Sequence, residues 1–137
     1  MKRVLVLLMM GALTLPAMAY TLAEKAEKAK AVALNFIRTE FNAVATIDEV
    51  GADLQGNPLV TGRFTGAVYG TTGNMAFASA TYFVNETPQS FRMRIRLNDQ
   101  VLFDRDGLSY VQYANATPGP VPTPTTNLRI GNSSLPS

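Results

Sequence analysis

Cysteine, histidine and tryptophan are all missing from this chain. Without cysteine an exported fold has no disulfide to lean on and must stand on packing; a thiol nucleophile or thiolate ligand is excluded as well. Without histidine the commonest general base near neutral pH and the commonest metal ligand are gone. Serine, lysine and the carboxylates remain, and their positions do not assemble a site. Lys25, Lys28 and Lys30 cluster far in sequence from Ser79, Ser90 and Ser109, so no Ser-Lys pair is set up. Glu49, Glu86 and the aspartates show no spacing that singles out a carboxylate pair for glycoside chemistry. The expectation is a protein that is not an enzyme and uses no cofactor or metal.

A charge excess is also missing once the N-terminus is set aside. Lys2 and Arg3 precede an apolar run at 4–15, and Pro16-Ala17-Met18-Ala19 ends in the small-x-small pattern that signal peptidase cuts. The run is short of the roughly 20 residues of a membrane span. Residues 1–19 therefore read as a signal peptide cleaved after Ala19, which makes the protein secreted or periplasmic. No cysteine follows to carry a lipid anchor. The pI of about 9.1 reflects twelve Lys+Arg against ten Asp+Glu. Lys2 and Arg3 leave with the signal, and the remainder carries ten of each sign. A neutral chain has no bulk attraction for nucleic acid or anionic lipid. Membrane contact is expected only through the signal before cleavage.

What is present is a strand with two contrasting faces. Phe91, Met93, Ile95 and Leu97 alternate without a break with Arg92, Arg94 and Arg96. That period of two belongs to a strand with one buried face, and a slip of one residue would bury three guanidinium groups. Before it, Thr21 and Glu24 have capping-box spacing, and Glu24 and Lys28 form an i,i+4 pair. Leu22, Ala26, Ala29, Val32, Ala33, Phe36, Ile37 and Phe41 make an apolar stripe of helical period, which predicts a helix over 21–41. Strands are expected at 44–50, 60–69, 75–84, 90–97, 100–104 and 108–114, with turns at 51–58, 70–74, 85–89, 98–99 and 106–107. Gly62 and Gly66, in phase with Val60, Phe64 and Val68, suggest a bend or the close approach of another backbone. The stretch at 75–84 is apolar in both phases, as a central strand would be, and its row Ala76, Ala78, Ala80 is small enough to seat the helix.

From 115 onward Pro118, Pro120, Pro122 and Pro124 alternate with small residues and forbid a helix. The expected organisation is a signal peptide at 1–19, a single α+β domain at 20–114, and a Pro-rich flexible tail at 115–137, in which Leu128 and Ile130 are the apolar pair suited to docking. The fold class is α+β: one N-terminal helix packed on a four- to five-stranded antiparallel meander sheet. A long N-terminal helix followed by such a meander resembles the cystatin-like arrangement by analogy only. The Gln-x-Val-x-Gly loop of inhibitory cystatins is absent, so protease inhibition does not follow. Tyr20-Thr21-Leu22-Ala23-Glu24 is similar to the start of mature type IV pilins, yet the apolar segment here precedes the motif instead of following it.

Three groups are candidates for binding. Arg92, Arg94 and Arg96, spaced by about 6.7 Å on one sheet face, would suit a polyanion; against that, such a row also keeps a sheet face soluble. Asp104-Arg105-Asp106-Gly107 with Asn98-Asp99 offers oxygens for calcium but lacks the spacing of an EF-hand. Phe64, Phe77 and Phe83 could line a pocket between helix and sheet. The function expected is an exported non-enzymatic binding or structural module of the cell envelope or extracellular space, whose partner is an unidentified protein there. The alternative is a carrier of a small apolar ligand. An open pocket at the three phenylalanines would favour the carrier; a filled core with an exposed edge strand would favour protein interaction.

Overall fold

A computed structural model describes residues 20–115. The signal peptide expected at 1–19 and the tail expected beyond Asn115 lie outside the described residues. The elements are α1 (Leu22–Phe41), β1 (Thr46–Ala52), β2 (Pro58–Val68), β3 (Thr71–Val84), β4 (Thr87–Leu97), β5 (Gln100–Ser109) and a short α2 (Tyr110–Ala114). The strands form one five-stranded antiparallel sheet in sequence order, a meander with β1 and β5 at its edges. The expected fold class is therefore the one observed, with α1 laid across one sheet face.

α1 starts where the capping box places it. Thr21 Oγ1 accepts from the Glu24 amide at 3.1 Å, and Glu24 Oε1 accepts from the Thr21 amide at 2.8 Å. Asn42 closes the helix in the left-handed region, its N–H returning to the Arg38 carbonyl. Ala29, Val32, Ala33, Phe36 and Ile37 are buried against the sheet. Leu22, at the head of the same stripe, is instead 62% exposed. The Glu24–Lys28 pairing gives way to other partners: Glu24 serves the cap, and the Lys28 ammonium lies over the Tyr20 ring. Phe36 is the centre of the core, with ring centroids 5.6 Å from both Phe91 and Phe103 and 4.8 Å from Tyr113.

The strand at Phe91 to Leu97 is oriented as its alternation requires. Phe91, Met93 and Ile95 are fully buried beneath α1, and the arginines point to the opposite face. β3 is the middle strand, but its alanine row does not seat the helix. In register, Ala76, Ala78 and Ala80 stand beside Arg96, Arg94 and Arg92 on the open face. The residues beneath α1 are Met75, Phe77, Ser79 and Thr81. Close approach at Gly62 is real: an added Cβ would lie 2.5 Å from Phe77 Cε2 and would also strike the Thr46 carbonyl oxygen.

Several boundaries move. β1 begins two residues later than expected, leaving Val44 exposed. The chain turns at Tyr69-Gly70 alone, both with positive φ, and residues 71–74 already pair with β2. Asp106-Gly107 is no hairpin turn but an irregularity inside β5, between the pairs Met93–Arg105 and Phe91–Leu108. Gly107 supplies φ +72° there, as such bulges need. Residues 110–114 form a helical turn, not a strand, because Ser109 Oγ caps the Gln112 amide and Tyr113 turns inward onto Phe36 and Phe91.

Candidate functional site

The open face of the sheet carries the arginine row, and β5 answers it with one carboxylate. Arg92 grips Asp104 through Nε and Nη2 at 3.0 and 2.9 Å, and Arg94 reaches the same carboxylate at 3.0–3.1 Å. Hydrogen bonding from Arg92, then from Arg94, holds the Asp104 carboxyl below its ordinary pKa. Arg96 donates to the Asn98 carbonyl instead. The three side chains thus share a face as expected, with two of their charges committed to Asp104. On β2 the pattern repeats, with Arg63 and Asp48 joined at 2.8 Å. Around these pairs the face is mixed in sign, and Ala78 floors it, exposed.

Among the described residues, no three metal-ligating side chains converge. The Asp104 carboxylate is taken by the arginines, and Asp106 accepts from the Gly107 amide. No helix among the described residues is long and apolar enough to cross a membrane.

The three phenylalanines do not come together. Phe64 and Phe77 are core residues, 4% and 3% exposed, and Phe64 stacks on Phe41 at 6.2 Å. Phe83 is six residues along β3 from Phe77, roughly 20 Å at strand rise. It is half-buried near Tyr20 and Lys25. Between α1 and the central strands, the buried side chains form one hydrophobic cluster.

Two concavities lie along the flank where α1 faces the edge strand β1. One cleft of about 520 Å³ runs between Lys30, Ala31 and Leu34 of the helix and Ile47 and Val50 of β1. A second, of about 400 Å³, lies between Leu22, Ala23 and Ala26 and the segment Val50, Ala52, Pro58. Val50 is common to both, so the two are parts of one trough beside the strand. Among the described residues β1 pairs only with β2, and none of them meets the amide and carbonyl groups of its other side. Ile47 and Val50 face the trough half-buried, with Leu22 exposed at its head. The edge carries a bulge at Asp48, whose carboxylate is held by Arg63, and Glu49 beside it lines the trough. Charges and bulges of this kind discourage pairing between identical edges.

The strand expected at 44–50 marked one wall of this trough and nothing more. Nothing in the sequence signalled that Leu22 and Ala26 would face an edge strand, since helical period marks a stripe without saying how much of it is covered. A family model, a curated protein or a solved structure matching this chain was not found in any of the three comparisons.

Proposed function

We propose that this is an exported, non-enzymatic binding module of the cell envelope or extracellular space. It takes an extended segment of a protein partner beside β1. The single observation that carries the reading is the contrast between a packed core and an open, half-apolar trough along an edge that no other described strand covers. An extended peptide laid there gains main-chain hydrogen bonds from β1 and places alternate side chains against Leu22, Ala26, Ala31 and Leu34. Its other side chains meet Glu49, so a segment alternating apolar residues with a basic one there fits best. Burial of Phe64 and Phe77 in the core weighs against the carrier reading. The pairing of Arg92 and Arg94 with Asp104 weighs against the polyanion reading.

The test is site-specific photo-crosslinking in exporting cells, with a photoreactive side chain at Leu22 or, as the control, at Ala78. A discrete protein adduct at Leu22 that Ala26→Arg abolishes, with none at Ala78, is the expected outcome. A small apolar molecule recovered in stoichiometric amount from the purified protein would replace this reading with the carrier.

A further inference from the structure

A second cluster ties the start of the described chain to the β3–β4 hairpin. The Tyr20 backbone nitrogen donates to Glu86 Oε1 at 3.3 Å, and the Lys25 ammonium sits 3.4 Å from the same oxygen. The Tyr20 ring meets Phe83 edge-on with centroids 6.3 Å apart. Lys25 lies 5.1 Å above the Phe83 ring, and Lys28 lies 4.7 Å above that of Tyr20. Two rings, two ammonium groups and one carboxylate therefore gather around Tyr20, with the carboxylate at its backbone nitrogen.

The backbone of Glu86 gives this contact weight. Asn85 and Glu86 turn the hairpin with φ of 52° and 64°. A two-residue turn with both central residues at positive φ is the type that favours glycine at the second place. A side chain in the left-handed region carries strain that glycine would avoid. What glutamate brings to that position is its carboxylate, and the carboxylate is engaged by Tyr20 and Lys25.

We propose that Glu86, with Phe83, Lys25 and Lys28, is a receptor site for the α-ammonium group and ring of Tyr20 formed when the signal peptide is removed. The proposal rests on the export reading above and adds a consequence of it: maturation fastens the N-terminus to the sheet. In the precursor, Tyr20 nitrogen is an amide with one N–H. Hydrolysis adds water across the Ala19–Tyr20 bond; Ala19 leaves with the signal as a carboxylate, and the nitrogen becomes a protonated amine with three donors. The neutral hydrogen bond to Glu86 becomes a charge-assisted one, the stronger kind. Glu86 then bridges two cations, the new terminus and Lys25, which would otherwise repel each other.

The experiment compares three purified chains: 20–137 with a free Tyr20 amine, 20–137 with that amine acetylated, and 19–137, in which Ala19 makes the Tyr20 nitrogen an amide. A half-exposed ion pair of this type shifts a folding equilibrium by roughly twofold to fivefold. The chain starting at a free Tyr20 amine is expected to be the more stable by that factor, and the advantage should shrink in 1 M salt. Glu86→Gln should erase the difference. Glu86→Gly, which relieves the turn, should help the acetylated chain more than the free one. Equal stability of the three chains, or a difference that survives Glu86→Gln, overturns the receptor site. An intact mass of exported protein that does not begin at Tyr20 overturns the export step instead, leaving the stability comparison to judge Glu86 separately.

Discussion

Replacing Ile95 by alanine removes three carbon atoms from a side chain with no exposed surface. Its neighbours across the sheet are Phe77 and Phe103, 3% and 7% exposed. At about 0.8 kcal/mol per buried methylene, the lost transfer free energy is about 2.4 kcal/mol. A residual cavity of ~50 Å³ adds about 1 kcal/mol at ~24 cal/mol per Å³. The expected loss is thus about 3.5 kcal/mol, a large share of the 5–15 kcal/mol that a domain commonly has. Arg94→Ala, one residue away, should cost about 0.5 kcal/mol or less, because the half-exposed guanidinium leaves Asp104 still held by Arg92. Urea denaturation of both variants, with the slope compared to check that the unfolded state is unchanged, reads the difference directly. Equal losses would mean that both sheet faces are buried, and the one-sided architecture would be refuted.

Other expectations bear on particular contacts. Gly62→Ala should destabilise by about 2 kcal/mol, since its Cβ meets the Phe77 ring and the Thr46 carbonyl; an unchanged denaturation midpoint would mean that β1 yields freely. Thr81→Val should raise stability by about 1 kcal/mol, because the buried Thr81 hydroxyl has no hydrogen-bond partner among the described residues; a loss on denaturation would show that the hydroxyl is satisfied. Burial, aided by the hydrogen bond to Glu40, pushes the Tyr113 phenol up to about 12. A raised folded value gives stability that is whole below the ordinary value near 10 and lost as pH climbs from about 10 to about 12. Tyr113→Phe should flatten that part of the alkaline limb in a pH series of melting temperatures, and an unaltered limb would remove Tyr113 as its source.

Signals confined to one element were legible in the sequence. The alternation from Phe91 to Leu97 fixes which side chains face α1, because the wrong register would bury three arginines. Thr21 and Glu24 mark the start of α1 by the bonds they make. Signals that different structures share were not. Asp-Gly marks a positive-φ glycine, and Gly107 has one, but a bulge inside β5 needs it as much as a hairpin does. The polar run at 71–74 is polar because it lies at an exposed hairpin end, not because the chain turns throughout it. Ala76, Ala78 and Ala80 were small enough for either face of β3; the larger Met75 and Phe77 claimed the core. The arginines were legible as a row, whereas Asp104 as their common partner depends on a register shifted by two irregularities in the β4–β5 pairing. The trough depends on how far α1 sits from β1, a distance that no local pattern encodes.

Amide hydrogen exchange on the purified chain tests the open edge most directly. Along Thr46–Ala52, amides pointing away from β2 should exchange at rates close to those of exposed loops, while those of β3 and β4 exchange only with global unfolding. Adding a segment captured at Leu22 should slow the outward amides of β1 and leave β5 unchanged. Protection along β1 equal to that of β3 in the chain alone would mean that the edge is already covered, and the proposed binding surface would be contradicted.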